Sequence, residues 1–203
     1  MGKRIILASG SPRRSELLTQ IGISFEVITS EQEEIYKSNN PCGIVQELAQ
    51  MKANHVAKKL RSEKHKKKIQ ENQLAEELLV IGADTIVVLE GEILGKPVGV
   101  EDAFAMLSKL QGQSHQVYTG VALIRYNTEG EEQLQLFAEE TKVFVHPMSE
   151  QEIREYIAKG ECFDKAGGYG IQGKFAAFIE RIEGDYYNVM GLPLSRVYQE
   201  LKR

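Results

Sequence analysis

Two stretches of this chain combine residue types suited to holding and attacking a phosphate. The first is Ser9-Gly10-Ser11-Pro12-Arg13-Arg14. Proline fits the first turn of a helix, and the free N–H groups and aligned peptide dipoles of that turn are electropositive, so acidic side chains are its usual occupants. Here the second and third positions after Ser11 are Arg13 and Arg14 instead. An anion seated at the helix start would account for the inversion, because a strand, tight loop and helix start is the geometry that phosphate cradles use, and guanidinium forks add to it. Two solvated surface arginines are the plainer alternative, and the sequence alone leaves both open.

The second stretch is Leu78–Leu89, LLVIGADTIVVL, in which Asp84 is the one ionisable group among apolar or small residues. A charge buried there without a partner would be costly, so it needs a cation or a metal. A carboxylate beside a metal can position or deprotonate an attacking water, whereas a structural aspartate would cap a turn or a helix. Thr85 adds a hydroxyl at the same place. Lys52 sits four residues after Leu48 and four before Val56, on the apolar stripe of its helix, from which it either snorkels outward or reaches into a cleft. Lys96, followed by Pro97, is a loop lysine. Glu31, Glu33 and Glu34 form an acidic loop that is either simply solvated or offers a carboxylate to Mg²⁺ beside phosphate oxygens.

These groups need elements to hold them. Arg4–Ala8 reads as a short strand, Pro12–Ile21 as a helix ended by Gly22, and Ser24–Thr29 as a second strand. A helix over Gly43–Leu60 follows, then a central strand or a pair of strand segments buried on both faces over Leu78–Leu89, with a hairpin turn at Glu90-Gly91. Glu101–Leu110 is an amphipathic helix. His115–Ile124 alternates Val117, Thr119, Val121 and Leu123 inward, and Phe137–Val145 pairs with it antiparallel. Ser149 and Glu152 form a capping box for a helix that Gly160 stops. The glycine-rich AGGYGIQG loop leads into a strand at Ala176–Ile182, and Pro193 opens a last helix.

Composition narrows the classes. The 203 residues, 42% hydrophobic, can bury a substantial core, and one compact domain over 1–203 is the expectation. With 25 basic against 29 acidic residues, the net charge of −4 argues against a nucleic-acid coat or a protein adsorbed electrostatically to an anionic membrane. A polyanion must therefore meet a local cationic cluster. The basic run Lys58–Lys68 holds seven Lys or Arg without interleaved aromatics and reads as a solvated face, a nucleic-acid contact being the alternative. Over the whole of Lys58–Glu77 the composition is the least core-forming of the chain, as in an exposed helical extension or a mobile loop. Cys42 and Cys162 are far apart and outside any zinc spacing, which points to a reducing compartment. The chain has no apolar run near membrane-spanning length and no secretory signal at its start, so a cytoplasmic protein is expected.

Taken in order, LASGSPRRSELL, IGADTIVVLEGEILGKP, LQGQSHQVYTGVAL, FDKAGGYGIQG and GDYYNVMGLPL resemble the Maf family of nucleotide pyrophosphatases, the septum-formation inhibitor-like proteins. The resemblance implies one α/β domain with two lobes around a central mixed twisted sheet, similar to inosine triphosphate pyrophosphatases, with the cleft between the lobes. It implies that Asp84 is the proton acceptor, and that Ser9, Arg14, Glu34, Lys52 and Lys96 make the phosphate and metal contacts, with Mg²⁺ or Mn²⁺ on Glu34 and Asp84. Arg13, Thr85 and Gln172 match the residues tied to substrate choice in the subgroup hydrolysing dTTP and UTP. Asp164 and Lys165 also fit the pattern, and Gly168 stands where alanine is commoner. The partner implied is a small-molecule nucleoside triphosphate; a homodimer stays open. A nucleotide-sensing regulator of septum formation that binds without turnover is the alternative reading.

Overall fold

The computed structural model describes residues 3–71 and 77–202, the helical stretch 63–71 by its backbone alone. The fold is mixed α/β, with strands in the order β2-β1-β3-β5-β6-β7 and β4 added on β3. Two compact units are built from interleaved segments, the first from 1–84, 120–138 and 194–203, the second from 85–119 and 139–193.

In the first unit, β1 (Lys3–Leu7) runs parallel to both β2 (Glu26–Val27) and the leading half of β3 (Glu77–Leu89), with Leu7 opposite Val27 and Ile81. Helix α1 (Pro12–Gln20) follows β1 almost at once and buries Leu17 and Leu18. Helix α2 (Pro41–Glu71) packs closely on the sheet at two glycines. A Cβ on Gly82 would lie 2.2 Å from the Ala49 carbonyl oxygen, and one on Gly120 would lie 2.3 Å from the Val45 carbonyl. Ala49, Ala53, Val56, Ala57 and Leu60 close that face against Ile6, Ala8, Leu78, Val80, Ala122 and Ile124, a core cluster contained in this unit. Helix α6 (Leu194–Leu201) is tied in by Arg125, which donates to the Glu200 carbonyl at 2.5 Å and to Gln135 Oε1 at 3.0 Å.

The second unit takes the trailing half of β3, the turn at Glu90 (φ 51°) and Gly91 (φ 85°), and antiparallel β4 (Glu92–Leu94). It also holds α3 (Val100–Leu110), the first part of β5 (Ser114–Tyr126), the second part of β6 (Glu132–Val145), and α4 (Glu150–Ile157). The capping box of Ser149 and Glu152 is formed. Strand β7 (Ile179–Glu183) is antiparallel to β6, and α5 (Tyr186–Met190) is capped by Asp185. Its core gathers Leu107, Leu110, Val117, Val143, Ile153, Tyr169 and Phe175.

Several expected boundaries move. The strand expected over Ser24–Thr29 shrinks to Glu26–Val27. The helix expected over Gly43–Leu60 runs on to Glu71, carried by straight-chain Lys, Arg, Glu and Gln with good helix propensity even where the apolar stripe has ended. The strand expected from Ala176 begins at Ile179, because Lys174–Phe178 coil into a 3₁₀ turn that buries Phe175. Helix α5 is five residues long, too short for a periodic signal. The stretch expected to be the least core-forming lies partly outside the described residues, at 72–76, and so do the side chains of the basic run beyond Ser62. No described helix is long and apolar enough to cross a membrane.

Candidate functional site

The first unit assembles a charged cluster at the carboxyl ends of its parallel strands, the end of an α/β sheet where ligands usually bind. Beyond β1, the Ala8 N–H donates to the Ile81 carbonyl at 2.8 Å, which carries the chain to Ser9, itself 6% exposed. On β3 the pleat places Val80, Gly82 and Asp84 on the face covered by α2. Because Gly82 lets the helix approach at Ala49 and Ala53, the lysine between them reaches the strand. Lys52 Nζ donates to Asp84 Oδ1 at 2.5 Å and meets Glu34 Oε1 at 2.7 Å. Of the two options for Lys52, reaching inward is the one realised; Asp84, 7% exposed, has its cation. A pair buried this far is costly to break, about 3–5 kcal/mol when one partner is removed, since the other is left as an uncompensated charge.

Beside that pair lies the start of α1, with no acidic residue in its first turn and no side-chain cap from Ser11. Arg14 donates to Ser9 Oγ at 2.9 Å, and the Ser11 N–H donates to the same oxygen at 3.3 Å. Burial lowers the Arg14 pKa; the negative charges of Asp84 and Glu34 pull it back up, and Arg13 adds to the lowering. Arginine stays protonated regardless, so Arg14 is a fixed positive charge within reach of both carboxylates. Glu34 is exposed, as are Glu31 and Glu33; what singles it out is its bond to Lys52.

Two carboxylate oxygens thus converge on one cation position, occupied here by the Lys52 ammonium, with Arg14, Arg13 and the start of α1 beside it. Hard oxygen donors in that arrangement suit Mg²⁺ or Mn²⁺ completed by phosphate oxygens and water. An open groove of about 860 Å³ runs elsewhere on α2, past Glu47, Asn54, His55 and Lys58. It is lined by another face of that helix together with Glu31 and Gln32, and takes in neither Lys52 nor Asp84.

The remaining expected residues belong to the second unit. Thr85 follows Asp84 along β3, so its side chain leaves the opposite face of the pleat, where its hydroxyl bonds Thr119 Oγ1 at 2.9 Å. Thr119 in turn donates to the Asn188 carbonyl at 2.9 Å. Lys96 is exposed just after β4, and Gln172 is exposed in the turn closing the glycine-rich loop. That loop is anchored at Gly167 (φ 71°), whose N–H donates to the Gly95 carbonyl at 2.9 Å, beside Lys96. Lys165 bonds Asp164 Oδ1 and the Glu161 carbonyl, each at 2.6 Å. The structure therefore gathers Ser9, Arg14, Glu34, Lys52 and Asp84, with Arg13 one residue away on the same helix turn, in one unit; Lys96, Thr85 and Gln172 stand in the other.

One buried pair escaped the sequence reading. His115, fully buried, meets the Tyr169 hydroxyl through Nε2 at 2.6 Å, edge to ring, and burial lowers its pKa to about 4. The signal was available: the alternation that turns Val117 and Thr119 inward turns His115 inward too.

The chain belongs to the Maf family, whose model, described as Maf-like protein, matches residues 4–203. Among curated relatives, a dTTP/UTP pyrophosphatase of Lachnoclostridium phytofermentans is 46% identical over 98% of this chain and 94% of its own. One of Agathobacter rectalis is 47% identical over 98% and 97%. One of a Thermoanaerobacter species is 48% identical over 98% and 96%. Among solved structures, a nucleoside-triphosphatase (dITP/XTP pyrophosphatase) of Mycobacterium abscessus aligns with 99% of this chain and 94% of its own, with a TM-score of 0.37 and 13% identity, a likeness too loose to argue from.

Proposed function

We propose that this protein is a nucleoside triphosphate pyrophosphatase that converts dTTP and UTP to the monophosphate and pyrophosphate. The observation that carries the reading is the Lys52 bridge between Asp84 and Glu34, set beside Arg14 and Ser9 where parallel strands end and α1 begins. Supporting it, relatives 46–48% identical over nearly the whole chain bear that activity in their names. The family model spans both units, which favours treating them as one functional domain.

In this reading the triphosphate lies against the N–H groups of α1, with Ser9, Arg14, Lys52 and Lys96 countering its charge as it grows during cleavage. Asp84 orients and deprotonates the water that attacks in line. Asp84 and Glu34 would hold a divalent cation, Mg²⁺ or Mn²⁺, which when bound neutralises phosphate oxygens and helps acidify water. Arg13, Thr85 and Gln172 read the base through hydrogen bonds to pyrimidine carbonyls and ring N–H. The compartment that suits a nucleotide-directed enzyme with few cysteines is the cytoplasm.

The test is a panel of dTTP, UTP, CTP and GTP with pyrophosphate release followed in the presence of Mn²⁺, Mg²⁺ or a chelator. Metal-dependent release from dTTP and UTP ahead of the others is the expected result. Tight nucleotide binding without pyrophosphate release would instead establish the regulator reading.

A further inference from the structure

We propose that Lys52 is a resident stand-in for the divalent cation, and that it hands Asp84 and Glu34 over only when metal and nucleotide arrive together. The inference rests on the pyrophosphatase reading and concerns the order in which that site fills. The geometric basis is the single ammonium placed 2.5 Å from Asp84 Oδ1 and 2.7 Å from Glu34 Oε1, the position where a shared cation would bind both oxygens.

Consider a free metal ion entering alone. It must displace the ammonium from both carboxylates, yet the Lys52 side chain is only 17% exposed and would be left a desolvated charge without a counterion. Arg14 beside it is already buried, and a metal on Asp84 and Glu34 would take up the negative charges that offset its guanidinium. Two side-chain oxygens also make up a minority of an octahedral shell, leaving the metal to draw most of its ligands from water.

A metal–triphosphate complex reverses each of these terms. Phosphate oxygens complete the metal's shell, and the same phosphates accept the displaced ammonium. Lys52 then changes partner, from carboxylate to phosphate, without ever being unpaired, and becomes one of the charges that stabilise the reacting group. Such an exchange couples metal and nucleotide binding thermodynamically: each raises the affinity for the other by the same factor.

Mn²⁺ binding, read from the electron paramagnetic resonance signal of the free ion and corrected for Mn²⁺ chelated by the analogue in protein-free solution, tests this without reference to turnover. Wild-type protein should hold Mn²⁺ alone at least roughly tenfold more weakly than in the presence of α,β-imido-UTP, a gap within the usual range of coupling between sites. Lys52→Gln and Lys52→Met, each shown to remain folded by a cooperative thermal melt, should bind Mn²⁺ alone at least roughly tenfold more tightly than wild type and lose most of the coupling to the analogue. Should one variant fail to fold, the other and the wild-type coupling still decide. Equal Mn²⁺ affinity with and without the analogue, or variants no tighter than wild type, would overturn the handover. A wild-type protein that releases pyrophosphate but shows no coupling loses only this inference; one that releases none from any nucleotide loses the pyrophosphatase reading itself.

Discussion

Asp84 and Lys52 were legible in the sequence for the same reason: each is a charge placed where its element is otherwise apolar, and burying such a charge demands a partner. The structure pairs them at 2.5 Å. Composition and periodicity did not separate Glu34 from Glu31 and Glu33, because an irregular loop has no period to say which carboxylate meets the lysine; only the family resemblance singled it out. His115 makes a different kind of statement about stability. Its folded pKa is near 4, below the ordinary value of 6.5, so it is neutral when folded and binds a proton on unfolding between those values. Stability from this group is therefore complete above about pH 6.5 and is lost as the pH falls toward about 4. Between about pH 7 and about pH 4.5 the loss should be roughly 2–3 kcal/mol. Urea unfolding of wild type and His115→Gln at both pH values measures it: the variant should lose less stability on acidification by about that amount, and parallel losses would show that His115 does not titrate on unfolding.

At the scale of elements, the site depends on how closely α2 lies on β3 and β5, and the glycines set that approach. The Gly82 side of β3 faces the Ala49 carbonyl so tightly that a methyl group would sit 2.2 Å from it. Gly82→Ala must push helix and strand apart, a form of overpacking that costs about 1–3 kcal/mol and moves Lys52 away from Asp84. A melt lowered by several degrees together with an activity loss larger than the stability loss explains is the expected result; a variant with wild-type melt and turnover would show that the approach is slack. The long elements were visible in the sequence, β3 as a continuous apolar run, α3 by its helical period and the first half of β5 by alternation. The short pieces were not. Glu26–Val27 keeps two exposed ladder residues of the expected Ser24–Thr29 strand, and Lys174–Phe178 spends a mostly apolar run on a 3₁₀ turn, because tertiary burial of Phe175 overrides local preference.

For the molecule as a whole, the net charge of −4 argues that any affinity for a triphosphate is local, and the cluster of Arg14, Lys52 and the α1 N-terminus is such a locality. In the proposed reading, recognition of the base is a separable task that falls to Arg13, Thr85 and Gln172, the last two of them in the second unit. Gln172→Ala should narrow the preference for UTP over CTP by about tenfold or more while leaving turnover of the better substrate within a few-fold, since a lost hydrogen bond to the base weakens discrimination more than phosphate binding. An unchanged ratio of kcat/KM values would remove Gln172 from that role.

The most direct test of the hydrolytic role of Asp84 is turnover of UTP in ¹⁸O-labelled water by wild type and Asp84→Asn, the variant first shown to melt as a folded protein. Wild type should yield UMP and pyrophosphate with one labelled oxygen, and the variant should lose about 10²- to 10⁴-fold in turnover, the usual worth of a general base. A folded Asp84→Asn protein retaining more than about a tenth of wild-type turnover would contradict the account.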